Sequence, residues 1–500
     1  MSPSVIVIGA GVAGLSAALY ARSCGLDVRV YEADSGPGGS CAGRLQDGFV
    51  LGGCTHWILG TSPPHPHHVL WRELEAIRET PILDPDLLIR VETSHGRIFD
   101  WPVDLDRLEQ QMTQAAPEDA DAIRELLGGT RRLLDFYPDI SGSHRVTSSL
   151  ARLLHVGPRL PRAATLRQWS HVTLGDLVSD FDSQLLREAF LVTFESPNLP
   201  LLAVMSRLAA LHRRHIGRPM GGAPELARRL AQSATDTGAE FLYGRRVVKI
   251  LVEKQRAVGV QLDTGEIERA DVVISAADAH ATIYGMLRGS FADEKLRKRF
   301  DELPVAPAPL LLHIGVRSDS VDLPETLLGL GMALAEPLTV DGRGLRQWVI
   351  RSDTMDPTIS PPGRALLALS FDARFAAWEK LAVNADEYRR EIDRIVDSSL
   401  VRLETRFPGF REAVELIDVE TPIDRFERTG NWQASSTGWE LTQKTSGLRF
   451  RESLPGLGRF YMAGHWVTPG GGLSSALMTG RHAVEIACKD LRIRFAAPDE

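Results

Sequence analysis

The opening of the chain constrains its fold more than any other stretch. Val5 to Ile8 read Val-Ile-Val-Ile, an apolar β-branched run, and Gly9-Ala10-Gly11-Val12-Ala13-Gly14 follows at once. Leu15 to Leu19 are apolar helix formers, Cys24-Gly25 is a helix stop, and Val28 to Glu32 read as a second strand ending on an acid. Strand, glycine turn, helix, strand and carboxylate in that order describe a dinucleotide-binding βαβ unit. Gly9 permits the tight turn, Gly11 lets a diphosphate approach the backbone, and Gly14 lets helix and strand pack closely. The diphosphate then lies at a helix N-terminus, where free N–H groups and the dipole favour negative charge. Glu32 is placed to accept from a ribose 2′-hydroxyl and to repel a 2′-phosphate.

A second glycine cluster, Gly36, Gly38, Gly39 and Gly43, comes within a dozen residues of Glu32, and Arg44 closes it. A nicotinamide dinucleotide needs no second close approach. A flavin dinucleotide, with its ribityl chain, does, and it needs a cation facing its phosphates; Arg44 is the candidate. The C-terminal stretch repeats the logic: Phe460 to Ala463 is a strand, Gly464 to Pro469 a turn, and Gly470-Gly471-Gly472 starts a helix from Leu473 to Ala487. Three successive glycines let a flat or anionic group touch backbone at a helix N-terminus. That group would be the N1–C2=O edge of an isoalloxazine ring, whose negative charge on reduction the helix dipole stabilises. Glu32 also suits a NAD ribose, but one dinucleotide site is visible, not two.

At 500 residues the chain exceeds the roughly 250–300 residues that one core serves, so at least two domains are expected. With 43% hydrophobic and 24% charged residues it reads as globular, and its net charge of −8 argues against general nucleic-acid binding. Cys24, Cys41, Cys54 and Cys488 form no CxxC pair, so neither a disulfide framework nor a zinc site is expected, and a reducing cytoplasm fits. The N-terminal apolar run lacks a basic flank and reads as a strand, not a signal peptide. No apolar run reaches the roughly 18–20 residues of a membrane span. Peripheral contact stays open: His155 to Trp169, with Arg159, Arg162 and Arg167, reads as a solvated basic loop or, alternatively, as a face for an anionic membrane.

Further along, Asp47-Gly48 marks a hairpin turn before the strand Phe49 to Leu51. Cys54, His56 and Trp57 follow in a glycine-bounded loop, where functional side chains often sit. His65, His67 and His68 have no acid or cysteine at ligand spacing, and no metal site is expected there. From Leu70 to Ile216 apolar residues recur at three and four, the helical period, with a hairpin over 89–103 around His95-Gly96. A second βαβ-like block runs from Pro219 to Asp278. Strands over Leu310–Val316, Gln347–Arg351 and Ala365–Phe371 and a helix over Ala385–Arg406 follow, with an alternation that suits an antiparallel sheet facing a cavity.

These residues resemble the phytoene-desaturase-type flavoproteins, which include carotenoid isomerases and retinol saturases. The resemblance runs end to end. It rests on the two glycine clusters with Glu32 and Arg44, on Gly53-Cys54-Thr55-His56-Trp57 and Pro219-Met220-Gly221-Gly222, and on Val272 to Asp278. Thr421-Pro422, Arg428-Thr429-Gly430-Asn431, Gly438-Trp439 and Ala463-Gly464-His465 leading to Pro469-Gly470-Gly471-Gly472 complete it. Two positions depart: Gly52 and His465 stand where many relatives carry Asp, or Gln at the second in the isomerase-like branch. A histidine at 465 would titrate near neutrality and tune the flavin with pH.

The resemblance implies an α/β fold: a discontinuous Rossmann-type FAD-binding domain (1–70, 217–290 and 415–500) and a substrate domain with a mixed sheet and helical cap (71–216 and 291–414). It implies FAD held by Gly9, Gly11, Gly14, Glu32, Gly38, Gly39 and Arg44, adenine against the Val247 backbone, and the flavin lined by Gly464, Gly471 and Gly472. It implies a polyene or isoprenoid substrate in an apolar tunnel, desaturated, saturated or isomerised by hydride transfer at flavin N5. His56 and His465 are the candidate polar catalytic groups. Two other readings share the architecture: an amine or amino-acid oxidase, marked by an aromatic cage or a carboxylate-binding arginine at the flavin, and a non-catalytic prenyl-lipid-binding relative.

Overall fold

The structure, a computed structural model, describes residues 2–53, 57–134, 166–448 and 450–498. Three distant stretches of chain build one five-stranded parallel sheet, in the order Glu240–Leu242, Asp27–Tyr31, Ser4–Ile8, Val272–Ser275 and Phe460–Met462. Val5 pairs in register with Val272 on one side and Val28 on the other. The first strand is buried on both faces, which is why its sequence is continuously apolar rather than alternating. Val5 and Val7 pack among the helices Val12–Ser23, Gly222–Asp236 and Leu473–Leu491. Ile6 and Ile8 pack on the other face against the three-stranded meander Val247–Glu253, Arg256–Leu262 and Ile267–Arg269 and an aromatic cluster that includes Trp439 and Trp466.

The helices Val12–Ser23 and Leu473–Leu491 cross in backbone contact. A Cβ at Gly480 would lie 2.4 Å from the Ala13 carbonyl oxygen, so alanine has no room there. This crossing sets the first and last glycine turns side by side.

A seven-stranded sheet forms the second layer, in the order Val414–Glu420, Ala308–Arg317, Arg364–Ala373, Arg343–Ser352, Leu330–Val340, Leu87–Glu92 and Ile98–Pro102. Leu310, Leu312, Ile314 and Val316 bury one face against Trp378, Ile395 and Leu403 of the helices Phe375–Leu381 and Ala385–Arg406. Leu311 and His313, on the opposite face, line a chamber. The expected hairpin over 89–103 is present, and its strands extend this sheet. The strand Leu330–Val340 was not anticipated, because Gly331 and Pro337 break its alternation and its register shifts between Ala333 and Leu338. The domain boundary expected at 414/415 falls inside the strand Val414–Glu420, which pairs with Ala308–Arg317 and lies in this sheet, not in the nucleotide layer.

The helices Leu105–Ala115, Ala120–Arg132, Gln184–Phe194 and Leu201–His212 pack into a cap around Trp101, whose ring meets Phe190 edge-on at 4.8 Å. Of the basic segment His155 to Trp169, residues 155–165 lie outside the described residues. Among the described residues no helix is long and apolar enough to cross a membrane.

Candidate functional site

A narrow groove of 210 Å³ runs along the carboxyl ends of the parallel strands. Gly9, Gly11, Glu32, Gly38, Gly39, Val247, Gly464, His465 and Gly472 all line it, so both ends of the chain contribute. Gly14 does not face the groove. Its Cβ would fall 1.9 Å from the Gly9 carbonyl oxygen, which makes it the point of closest helix–turn packing. Gly11 caps the helix Val12–Ser23 with no side-chain hydrogen bond, and a Cβ on it would meet nothing within 4 Å; the space above belongs to the groove. The second glycine cluster docks on the first: Gly38 N–H donates to the Ala10 carbonyl at 2.9 Å, and a Cβ on Gly39 would lie 3.3 Å from Gly11 Cα. Gly472 caps the C-terminal helix in the same uncapped way, with φ +97° and nothing within 4 Å of an added Cβ. Two helix N-termini that lack side-chain caps and open onto one groove suit an anionic, elongated ligand. These cradles fit a flavin dinucleotide.

Glu32 lines the groove, 9% exposed, accepting from Ala10 N–H at 2.6 Å and Asp34 N–H at 2.8 Å. Burial raises its pKa despite those two hydrogen bonds. Arg44, expected as the cation for the phosphates, is not in the groove. It pairs with Asp418, contacts Gln46 at 2.5 Å, and lines an adjoining cavity of 1140 Å³. Three arginines line the groove, Arg245, Arg246 and Arg428; the one that reaches the glycine cluster is Arg428, donating to the Gly39 carbonyl at 2.8 Å and to Glu420 at 3.1 Å. Its position follows from the strand Val414–Glu420 and the capped helix Pro422–Thr429, which carry it to Gly39 from almost four hundred residues away. Local sequence held no signal for that reach.

His56 lies outside the described residues. His465 is in the groove beside Trp466 and Gly438, with Nε2 buried and unpartnered. Burial, with Arg425 nearby, pushes its pKa down to about 4. The expectation that it titrates near neutrality is therefore corrected: at pH 7 it is a neutral imidazole, because an unpaired charge is costly where water does not reach.

Where the glycines 470–472 end the groove, it opens at Ser436–Thr437 and Gly472–Leu473 into a chamber of 460 Å³. Gly471 and Gly470 belong to this chamber, as do Trp57 from the glycine-bounded loop and His67. His67 is 6% exposed with both ring nitrogens unpartnered, and burial holds its pKa at about 4. His65, its ring 5.1 Å from that of His67, is held at about 3 by burial and its histidine neighbours. Among the described residues no group of histidine, cysteine or acidic side chains has the arrangement of a metal site. The chamber's walls are not uniformly apolar. Arg207, Glu195, Arg351 and Asp372 face it alongside Leu199, Leu311 and Leu328. Arg207 was missed from sequence although a signal existed: it lies three residues after Val204 and four before Leu211, on the buried face of its helix.

The buried histidines make a measurable prediction. Their pKa values in the fold lie below the ordinary 6.5, so the unfolded chain takes up protons first as pH falls. Stability is thus fully present above about pH 6.5 and lost as pH drops toward 4, by about 1.4 kcal/mol per pH unit for each imidazole. Urea unfolding between pH 7 and 4.5 should show this slope, and His67→Gln should lower it by close to one proton. An unchanged slope would contradict the burial argument.

The comparison with known proteins decides the class. The family described as "Flavin containing amine oxidoreductase" matches residues 12–488. The chain belongs to that family. As a flavin containing amine oxidoreductase by family, it is a flavin oxidoreductase, and its cofactor is FAD. Prolycopene isomerase 1, a chloroplastic protein of an Oncidium hybrid, is 25% identical over 527 residues, covering 99% of this chain and 85% of that protein. The phytoene dehydrogenase of Streptomyces griseus is 27% identical, covering 96% of this chain and 94% of its own. The resemblance to phytoene-desaturase-type flavoproteins read from sequence is borne out by these relatives. The crystal structure of an oxidoreductase from Methanosarcina mazei superimposes with a TM-score of 0.63 at 18% identity, over 96% of this chain and all of that one, and shows the same fold.

Proposed function

We propose that this flavin oxidoreductase acts on carbon–carbon bonds of a polyene or isoprenoid compound. The observation that carries the reading is the junction of groove and chamber at Gly470 to Leu473, which puts a substrate-sized space directly beyond the helix N-terminus suited to a flavin edge. The relatedness along the whole chain to a prolycopene isomerase and a phytoene dehydrogenase supports the substrate class. The flavin, when bound, supplies hydride acceptance or donation at N5. The chain's own work is to hold it and to orient the substrate. In this reading Gly9, Gly11, Gly38 and Gly39 give the dinucleotide backbone contact, Glu32 takes the ribose, the Val247 backbone takes the adenine, and Gly464, Gly471 and Gly472 border the ring. Arg428, not Arg44, faces the phosphates. His465 offers a neutral imidazole with an unpartnered Nε2 beside the ring, suited to a hydrogen bond or to holding a proton; His56 is a second candidate in the loop that also bears Trp57.

The arginine assignment predicts that Arg428→Ala weakens FAD binding about 10- to 100-fold, the usual worth of a charged hydrogen bond, while Arg44→Ala changes it less than threefold. Titration of apoprotein with FAD, followed by fluorescence quenching, checks both. The activity is tested with purified holoenzyme, incubated with prolycopene, phytoene and retinol under air and anaerobically with reductant, and products resolved by chromatography. Flavin that no polyene reduces or reoxidises, with no isomer formed, would end the reading.

One observation favours a second reading, an amine or amino-acid oxidase: the Arg207 guanidinium lies 5.3 Å from the ring centre of Trp57 and 5.6 Å from that of Phe194 inside the chamber. Peroxide produced from soluble amines or amino acids would support it. Trp466 adds nothing to such a cage, since it is 4% exposed and packs edge-on against Trp439 at 5.0 Å.

A further inference from the structure

Among the described residues Arg207 differs from the ion-paired arginines. Arg214 and Arg406 have carboxylates at hydrogen-bond distance, and those carboxylates raise their pKa values. Arg207 has none. Among the described residues no carboxylate comes within 4.0 Å of its guanidinium. Its neighbours are the faces of Trp57 and Phe194, which attract a cation but do not neutralise it. Burial lowers its pKa, with Glu195 acting against that from a distance. Glu195 itself is engaged with Arg351 at 3.4 Å. Asp372, an exposed residue of the strand Arg364–Ala373, also faces the chamber. The chamber thus holds one half-buried guanidinium with no carboxylate partner, and a charge drawn partly out of water is unfavourable until an anion joins it.

We infer that Arg207 anchors a carboxylate carried by the substrate, so that the natural substrate is an apolar chain ending in an acid. The planar guanidinium fork matches a carboxylate with two parallel hydrogen bonds. A single unmatched cation suits a single-charge head rather than a diphosphate. The apolar walls at Leu199, Leu311 and Leu328 suit the chain that follows, and the 460 Å³ of the chamber is in the range of small-molecule sites. This inference rests on the polyene reading for the nature of the chain, but not for the anchor.

The test is binding to holoenzyme, read by the flavin absorbance and fluorescence change, with three probes: all-trans-retinoic acid, its methyl ester and benzoate. In the wild type the acid should bind at least tenfold more tightly than the ester. In Arg207→Met that gap should vanish with the ester's affinity kept within twofold, and Arg207→Lys should keep part of it. FAD content and melting temperature of each variant show that the fold is intact; loss of a half-buried charge with no carboxylate partner should not lower either. Equal binding of acid and ester by the wild type, or a gap that survives Arg207→Met, overturns the anchor. If benzoate binds in an Arg207-dependent way while neither retinoid binds, the anchor stands and the polyene reading falls. If neutral polyenes bind and turn over alike in wild type and Arg207→Met, and acid shows no preference, the polyene reading stands and the anchor falls.

Discussion

Gly14→Ala is expected to abolish FAD binding and to leave little folded protein. Its Cβ would lie 1.9 Å from the Gly9 carbonyl oxygen, 3.1 Å from Gly9 carbonyl carbon and 3.2 Å from Ala276 Cβ. Neither side can retreat. Gly9 N–H is hydrogen-bonded to the Tyr31 carbonyl at 2.8 Å, which ties the turn to the sheet. The helix is held from behind by the crossing at Gly480. Overpacking against backbone of this kind costs about 3 kcal/mol or more, a large share of the roughly 5–15 kcal/mol that separates folded from unfolded states. Gly11→Ala is the matched control. Gly11 has φ −68°, which alanine adopts freely, and the added methyl meets no protein atom within 4 Å. It should fold with an apo melting temperature near that of the wild type and bind FAD at least tenfold more weakly, because the methyl occupies groove space. Thermal unfolding without FAD, then FAD titration, separates the two. A Gly14→Ala protein that melts like the wild type would show that helix and turn do not pack this tightly.

The second large effect is expected at Glu420, which no local pattern distinguishes. Its carboxylate accepts from Arg425 at 3.0 Å and from Arg428 at 3.1 Å. Arg425 is 1% exposed, and its other hydrogen bond goes to the Gly53 carbonyl at 2.9 Å. Removing the shared carboxylate leaves one guanidinium fully buried with a single neutral acceptor, and uncompensated buried charge typically costs about 3–5 kcal/mol. Glu420→Ala should lower unfolding free energy in urea by that order. Glu420→Gln, which keeps a carbonyl acceptor, should lose less. FAD affinity should fall as well, since Glu420 orients Arg428 toward the groove. Stability within 1 kcal/mol of wild type in both variants would mean that this pair contributes little.

The two effects differ in how far the sequence foretells them. The role of Gly14 is legible because the strand, turn and helix are consecutive, and close packing between neighbours in the chain leaves a spacing that can be read. The C-terminal glycines 470–472 are legible for the same reason: the helix they open is local. The hairpin at Asp47-Gly48 carries its own signal too, with both residues at positive φ between the strands Gly43–Gln46 and Phe49–Gly52. Arg44 lies outside the groove because proximity in sequence to the second glycine cluster does not set side-chain direction; Asp418, from an edge strand of the other sheet, draws it away. His465 was legible in position and not in titration, since its shift depends on how completely Arg425 and its other neighbours exclude water.

Periodicity and glycine spacing by themselves determined the dinucleotide-binding sheet, the helices that cover it and the convergence of both chain ends on one groove, because each of those features is written in runs of adjacent residues. Which arginines line that groove, which one stands without a carboxylate in the chamber, and which histidines stay neutral were decided by the tertiary structure. Charge pairing and desolvation depend on distances in space between residues separated by hundreds of positions, and no local pattern encodes those distances.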